Sequence, residues 1–390
     1  MDRIYLDYAA TSPVLPEVLD AMLPFFMSCF GNPSGIHENG RETRKAVEQA
    51  RREVAETLGA ESREIVFTSG GSESDNLAIE GTAFALREKG NHIITSQIEH
   101  HAVLNTCRWL EKQGFRVTYL PVDASGLVDP DSVRDAIGND TVLVSIMTAN
   151  NEIGTVEPVS EIGEICREKG VLFHTDAVQA IGMMNIHAAE INADLISLSA
   201  HKFHGPKGTG ALYIRKGTKL ESLIHGGAQE RGLRAGTENV PGIVGMGKAI
   251  TVAAKEREEN QQRIRELRDQ MIRIVLERIP GSQLNGHPEK RLANNCHFSF
   301  AGIESEALLL RLDLAGISVS GGSACTSGSM EPSHVLQAIG LKDEMLKSGI
   351  RMTMGRETTR EEIEKTAEKM SEIIADLRQM SHSSIKHLRG

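Results

Sequence analysis

Three stretches of this 390-residue chain carry residue types that could act together on one ligand. The acid Asp176 follows the apolar run "LFHT", and Lys202 follows the run "DLISLSAH" further along the chain. A third stretch, "FTSGGSESDNLAI", places Gly71 and Ser72 between a buried strand and a helix. In α/β sheets, ligands collect beyond the carboxyl ends of the strands. We therefore expect Gly71, Asp176 and Lys202 to converge on one crevice.

Pyridoxal phosphate is a ligand that would use all three groups. The glycine turn and the helix N-terminus would bind its phosphate. The lysine would form a Schiff base with its aldehyde, and the acid would keep its ring nitrogen protonated, so that the ring accepts electrons. Each residue alone also has an ordinary interpretation: Ser72 as a helix N-cap, Asp176 as a turn acid and Lys202 as a surface lysine. Because all three lie at strand ends, a shared pyridoxal phosphate site is favoured over three separate structural roles.

A cysteine in an unusual setting, Cys325 in "SGGSACTSGS", is a candidate nucleophile. Small residues surround it, and a Gly/Ser-rich segment behaves as flexible coil, so we expect a thiol that can move. A free thiol is partly ionised near neutral pH and needs little activation. The other cysteines lie in apolar or amphipathic segments, where packing in the core is the expectation; they are Cys29, Cys107, Cys166 and Cys296.

Strand-like apolar runs alternate with helix-period segments over the first two thirds of the chain. This order predicts an α/β fold with a mainly parallel sheet flanked by helices. A long polar helix is predicted over about 240–278, and fewer strands follow it. Because 390 residues exceed the ~250–300 that one core usually fills, we predict two domains. A large domain covers 15–260, and a smaller α+β domain covers 261–390 together with 1–14 and carries the cysteine loop 320–331.

Composition excludes several classes of partner. The net charge is −10, and no stripe of basic and aromatic residues occurs, so we expect no nucleic-acid surface. No run of about 18 apolar residues occurs, which predicts no membrane span. The N-terminal residues do not resemble a signal peptide. Five cysteines without a CxxC pair indicate a reducing compartment and no structural metal site. The expected location is the cytoplasm.

Motifs along nearly the whole chain resemble a known family. The sequence is similar to the class V, fold-type I pyridoxal phosphate enzymes, and specifically to cysteine desulfurases of the NifS/IscS type. "HTDAVQ" with "SAHK" marks the broad superfamily, and "GSACTSGS" marks the desulfurases with a long cysteine loop. The other matching motifs are "LDYAAT", "GNPSGIH", "FTSGGSESDNLAI", "EHHAVLN", "NNEIGT", "SAHKFHGPKG" and "RAGTEN".

The resemblance implies a role for each residue near the cofactor. Lys202 would be the Schiff-base lysine and the acid/base at the substrate α-carbon. His100 would stack on the ring and move a proton at the substrate thiol, although position alone does not separate it from His101. Asp176 would pair with the ring nitrogen. Further cofactor contacts are implied for Gly71, Ser72, Asn151, Gln179, Ser199, Ala200 and His201.

The resemblance also implies contacts to the substrate and to a second subunit. Arg351 would bind the substrate carboxylate as a planar bidentate donor, with Arg356 as the competing candidate. Asn32 and His37 would line the substrate entrance. Thr237 would reach the phosphate in the neighbouring subunit, which implies a homodimer.

The implied reaction converts L-cysteine to L-alanine. Cys325 would take the sulfur as a persulfide and pass it to an acceptor protein, either an iron–sulfur scaffold or a tRNA-thiolating enzyme. No standing metal site is expected, although the Cys325 sulfur could transiently share an iron–sulfur cluster with a scaffold. Two alternatives stay open: other pyridoxal phosphate chemistry, such as an aminotransferase or selenocysteine lyase, and a non-catalytic assembly or sulfur-carrier protein.

Overall fold

A seven-stranded sheet forms the centre of the larger part of the chain. The computed structural model describes residues 3–321 and 332–387. The strands of this sheet are β2 (Ile65–Thr68), β3 (His92–Ser96), β4 (Arg116–Leu120), β5 (Thr141–Ser145), β6 (Leu172–Asp176), β7 (Leu195–Ser199) and β8 (Gly210–Ile214). The strand order is β2-β8-β7-β6-β5-β3-β4, with β8 antiparallel to both neighbours and the remaining pairs parallel.

Helices cover both faces of this sheet, and the strand sequences reflect this. Strands β3, β5 and β7 are buried at every position instead of alternating, as expected for parallel strands covered on both faces. Helix α3 buries Val47, Ala50 and Val54, which lie on one face. The helices of this part are α1 (Pro16–Met22), α2 (Pro24–Met27), α3 (Glu38–Thr57), α4 (Gly71–Ala85), α5 (His101–Lys112), α6 (Pro130–Ala136) and α7 (Val159–Lys169).

The rest of the chain forms a smaller α+β unit around the antiparallel sheet β12-β10-β9. The N-terminal strand β1 (Ile4–Tyr5) joins this unit by pairing in parallel with β11. A capping box formed by Thr359 and Glu362 begins the last helix. The elements are α8 (Val240–Arg278), β9 (Ser282–Asn285), β10 (Asn295–Phe300), α9 (Ser305–Leu314), β11 (Ile317–Ser318), α10 (His334–Ala338), α11 (Asp343–Leu346), β12 (Ile350–Thr353) and α12 (Arg360–His387).

Separate hydrophobic clusters lie in the two parts. The N-terminal half of α8, including Met246 and Ile250, packs with the large sheet, whereas Ile264 and Met271 further along the same helix pack with the small sheet. The predicted fold class is confirmed. The domain limits at 260 and 261 fall inside α8 and stay a prediction.

Neither a membrane span nor a metal cluster was found in the part of the chain that the structure describes. No described helix is long and apolar enough to cross a bilayer. No group of three or more potential metal ligands occurs among those same residues.

Candidate active site

One cavity of about 220 Å³ lies at the carboxyl ends of β6 and β7. Asp176 is the last residue of β6, and Lys202 ends the short 3-10 turn Ala200–Lys202 that follows β7. These two strands are adjacent and parallel, which brings both side chains to the same edge. The lining residues are Ala9, Ala10, Gly71, Ser72, Asp75, His100, Met147, Asn151, Asp176, Val178, Gln179, Ser199, His201, Lys202 and Arg351.

The N-terminal segment forms one wall of this cavity and contacts the lysine. The Nζ of Lys202 donates to the carbonyl oxygens of Ala9, at 2.6 Å, and Ala10, at 3.0 Å. The Nε2 of Gln179 donates to the same Ala9 carbonyl at 3.0 Å. Residues from distant parts of the sequence therefore hold the amine at the cavity.

Two buried carboxyl groups line the cavity opposite the amine. Burial raises the pKa of Asp176 to about 6, although its Oδ1 accepts a hydrogen bond of 2.9 Å from the Val178 amide. Burial, and then the charge of Asp176, raise the pKa of Asp75 well above its usual range. Two buried carboxylates resist simultaneous ionisation. We infer that Asp75 holds a proton when Asp176 is ionised.

His174 is buried next to Asp75. The Nε2 of His174 is 3.0 Å from the Ser197 hydroxyl and 3.7 Å from Oδ1 of Asp75, and its Nδ1 is 2.8 Å from the Ser145 hydroxyl. Burial lowers the pKa of His174 to about 3, so this ring is neutral at physiological pH. It therefore contributes hydrogen bonds rather than charge.

The glycine turn forms a cup beside Ser199. Gly70 is the N-cap of α4, and the helix begins at Gly71, so Ser72 lies inside the first turn and its interpretation as the N-cap is wrong. A Cβ on Gly71 would lie 2.8 Å from Cγ2 of Val178; only glycine leaves this space open. Backbone N–H groups at this helix end can bind an anion, and His201, on the same cavity, has its Nδ1 3.1 Å from the Thr11 hydroxyl.

The structure separates the two neighbouring histidines. His100 is the N-cap of α5, with Nδ1 accepting from the Ala102 amide at 3.1 Å, and it lines the cavity. Burial, and then the charge of Lys202, lower the pKa of His100 to about 4. His101 lies outside the cavity lining, and its ring centre is 4.7 Å from that of His334. His100 is the candidate for proton transfer.

Two arginines were candidates for binding a carboxylate, and only Arg351 lines this cavity. It is 2% exposed, and its guanidinium donates to the Asn151 carbonyl oxygen and to Oδ1 of Asp7, both at 2.9 Å. Its buried Nε has no hydrogen-bond partner among the described residues. Arg356 lies elsewhere and pairs with Glu256 at 3.0 Å.

Several predicted site residues lie outside the lining. Ala200 is buried at the start of the lysine turn. Thr237, Asn32 and His37 are exposed; Oδ1 of Asn32 accepts from the Ser34 amide, and His37 caps α3. Their roles stay predictions.

The cysteines divide into three groups. Cys325 lies outside the described residues. Cys107, Cys166 and Cys296 are buried, as predicted. The expectation of core packing is wrong for Cys29, which is partly exposed, and whose thiol donates to Oε1 of Glu42 at 3.3 Å.

Two polar residues of the site were missed from the sequence. Asp75 follows Gly71 by one helical turn, so the spacing i, i+4 along α4 could have indicated that it faces the same cavity. Asp7 lies in "LDYAAT", where nothing local indicates that its carboxylate pairs with Arg351.

Fold and site together define a family. The chain belongs to the class-V aminotransferase family, whose match covers residues 4–366. It is 56% identical over 386 residues to the cysteine desulfurase IscS of Methanosarcina thermophila, covering 99% of this chain and 95% of the relative. It is 57% identical over 379 residues to the IscS of Dictyoglomus turgidum, covering 97% and 96%. A solved NifS-like protein is 39% identical with a TM-score of 0.90, covering 96% of this chain and 99% of that one. The predicted resemblance is confirmed.

Proposed function

We propose that this chain is a pyridoxal phosphate-dependent cysteine desulfurase that converts L-cysteine to L-alanine. The observation that carries the proposal is the meeting of Lys202, Asp176, His100 and Arg351 on one cavity. It occurs in a chain that is 57% identical over 379 residues to a cysteine desulfurase. The sulfur goes to Cys325 as a persulfide and then to an acceptor protein.

The residues present fit the cofactor. The open cup at Gly71, with Ser72, Ser199 and His201 nearby, suits a phosphate. The Lys202 amine lies on the cavity, where it could react with an aldehyde, and Asp176 suits a protonated ring nitrogen. That cation would offset the burial that raises the pKa of Asp176. When bound, pyridoxal phosphate withdraws electrons from the α-carbon of an amino acid.

Residues of the chain itself carry out substrate binding, proton transfer and sulfur transfer. Lys202 holds the cofactor and moves the proton at the substrate α-carbon. The neutral ring of His100 accepts the proton of the substrate thiol. Arg351 orients the substrate carboxylate. The Cys325 thiolate attacks the substrate sulfur; the carbon–sulfur bond breaks, its electron pair stays with the β-carbon, and protonation there gives alanine.

The described residues on either side of Cys325 contact the cavity wall. Ser320 exchanges backbone hydrogen bonds with Arg351, at 2.7 and 3.2 Å. Ser333 donates to Glu152, the residue after Asn151. Cys325 follows Ser320 by five residues, a length that spans at most about 18 Å. A thiol tethered in this way has the catalytic cavity within reach.

We propose that the active unit is a cytoplasmic homodimer. Thr237 is exposed and outside the cavity of its own chain, which suits a contact with the phosphate in a neighbouring subunit. Asn32 and His37 would lie at the entrance of the assembled site. The proposed acceptors are an iron–sulfur scaffold, with which the Cys325 sulfur could transiently share a cluster, or a tRNA-thiolating enzyme.

The test measures alanine and sulfide released from L-cysteine in the presence of a reductant and pyridoxal phosphate. Wild type is compared with Lys202→Ala and Cys325→Ala, and Cys29→Ala serves as the matched control because this partly exposed thiol lies outside the catalytic cavity. Wild type and Cys29→Ala should each release one sulfide for every alanine, and both should do so at similar rates. The other two variants should lose nearly all turnover.

Other results would contradict the proposal. Full turnover by Cys325→Ala would remove the persulfide step. Consumption of a keto acid without sulfide would indicate an aminotransferase, and a large preference for selenocysteine would indicate a selenocysteine lyase. A wild-type protein that binds no pyridoxal phosphate and releases no sulfide would indicate a non-catalytic protein.

A further inference from the structure

A second cavity, of about 930 Å³, is lined in part by other residues of the segment 147–157 that also borders the catalytic cavity. Met147 and Asn151 line the catalytic cavity, whereas Thr148 and Glu157 line this one. The two cavities share no lining residue among those that the structure describes. The proposed reaction makes no use of this second cavity.

A buried acid and a buried arginine line the second cavity, and both have polar atoms without hydrogen-bond partners in the described ranges. Glu157 is 3% exposed; its Oε2 accepts from the Val128 amide at 2.9 Å, and its Oε1 has no hydrogen-bond partner among the residues that the structure describes. Arg291 is 6% exposed; its Nη2 donates to the carbonyl oxygens of Ile153 and Asn285, and its Nε and Nη1 have no hydrogen-bond partner in the described part of the chain. Buried charged groups without partners are costly, so these atoms favour a bound polar partner.

The backbone holds the two side chains near each other without an ion pair between them. The Val156 amide donates to the Lys290 carbonyl oxygen at 2.9 Å, and Thr155 pairs with Arg291 as an isolated antiparallel bridge. Oε1 of Glu157 and the Nε and Nη1 of Arg291 do not pair with each other, although both residues lie in the described ranges. The cavity therefore offers a carboxyl group and a guanidinium on adjacent segments. Burial raises the pKa of Glu157 to about 8, and a bound ammonium group would favour its carboxylate form.

The rest of the lining mixes apolar side chains with charged ones, among them Asp123, Glu161, Arg265 and Glu289. Leu127, Val156, Ile186 and Leu292 contribute apolar side chains. Ligand cavities of about 300–1,000 Å³ typically combine such a surface with a few polar groups that fix orientation.

We propose that this cavity is a binding site for a small zwitterion, a free α-amino acid with an apolar side chain. Its ammonium group pairs with Glu157, its carboxylate pairs with Arg291, and its side chain packs on the apolar lining. Charge-assisted hydrogen bonds of this kind satisfy both unpaired groups at once. The site does not depend on the proposed function, because none of its residues takes part in the proposed reaction.

Calorimetric titration of the full-length, cofactor-loaded protein with L-leucine tests the site. Wild type should bind one leucine per chain at this site. Glu157→Gln keeps the side-chain shape and an acceptor for the Val128 amide, and should weaken binding by about tenfold or more. Arg351→Lys, which changes the catalytic cavity alone, should leave this binding unchanged. 3-Methylbutylamine and 4-methylpentanoate, which each lack one charged group, should bind about tenfold more weakly than leucine.

Three results would overturn the inference. The first is no leucine binding at millimolar concentration by a wild-type protein that is active on cysteine. The second is leucine binding lost in Arg351→Lys and kept in Glu157→Gln, which would assign leucine to the catalytic cavity. The third is equal affinity for leucine and its one-charge analogues. Hydrogen exchange checks the position independently, since bound leucine should slow exchange in 121–132 and 289–293, and the far-UV spectrum of Glu157→Gln checks that the variant is folded.

Discussion

Ser333 donates a hydrogen bond of 2.5 Å from its hydroxyl to Oε2 of Glu152. The same hydroxyl accepts from the Leu336 amide and so caps α10. Glu152 is 1% exposed and follows Asn151 on the wall of the catalytic cavity. One side chain therefore joins the start of α10, a few residues after Cys325, to the segment that lines the site.

Ser333→Ala should lower both stability and turnover. The loss of the cap and of the partner of a buried carboxyl group should cost about 1–3 kcal/mol, measured by urea unfolding. We expect kcat for alanine formation to fall while KM for cysteine stays nearly constant, because Lys202, His100 and Arg351 are unchanged. Ser333→Thr keeps the hydroxyl and is the control. Wild-type kcat in Ser333→Ala would exclude a positioning role.

The pH dependence of stability in the cofactor-free chain should report on Asp176. Burial raises its pKa to about 6 from 3.8, so the folded chain holds this proton more tightly than the unfolded chain. The protonated side chain therefore makes its full contribution to the free energy of unfolding below about pH 4, and this contribution is lost as the pH rises through 6. The pKa shift corresponds to about 3 kcal/mol.

Asp176→Asn, whose amide oxygen can still accept from Val178, should therefore be more stable than wild type at pH 7.5 and similar to it at pH 4. Denaturant unfolding of both chains without cofactor measures this difference. With pyridoxal phosphate the comparison should reverse, because the ring cation pairs with the carboxylate. If cofactor-free wild type is more stable than Asp176→Asn at pH 7.5, the Lys202 ammonium lowers the pKa of Asp176 by more than burial raises it.

The strand ends were predictable from the sequence because apolar runs followed by glycine, acid or lysine mark them locally. The choice between Arg351 and Arg356 was not, because both lie in or beside β12 and only the packing of that strand decides which side chain faces the cavity. The contact of Lys202 with the Ala9 and Ala10 carbonyls joins segments more than 190 residues apart, and no local pattern encodes it. Strand β9, "SQLN", is short and polar, so no apolar run marks it in the sequence.

Arg351→Lys should raise KM for cysteine by about tenfold or more, with a smaller effect on kcat. A lysine keeps the charge but loses the planar pair of donors that matches a carboxylate. Arg356→Lys is the matched control, because Arg356 pairs with Glu256 outside the cavity and its replacement should leave KM nearly unchanged. Steady-state kinetics measure KM for cysteine in both variants. A larger increase in Arg356→Lys than in Arg351→Lys would assign the binding of the substrate carboxylate to Arg356.

Alkylation should distinguish the cysteines. Burial raises the pKa of Cys166 and Cys296 to about 12 and raises that of Cys107 further, and thiols that stay protonated react slowly. Iodoacetamide at pH 7.5 should therefore modify Cys325 and Cys29 before the buried thiols, as measured by peptide mass spectrometry. Cys29 should react more slowly than Cys325, because the hydrogen bond to Glu42 raises the pKa of Cys29. In Cys325→Ala a single fast site should remain. Fast modification of Cys107 in the folded protein would contradict its burial.

His100→Gln should reduce kcat by about 10²-fold, because a positioned acid or base contributes about this factor or more. Since the pKa of His100 is lowered to about 4, its ring is neutral from pH 6 to 8 and can accept the substrate thiol proton throughout this range. The ring carbon signal of His100, assigned by its loss in the Gln variant, should therefore not titrate between pH 8 and 6. His101→Gln is the control and should keep most of kcat, because His101 contacts His334 outside the cavity. A larger loss in His101→Gln, or a His100 signal that titrates near pH 7, would reverse the assignment.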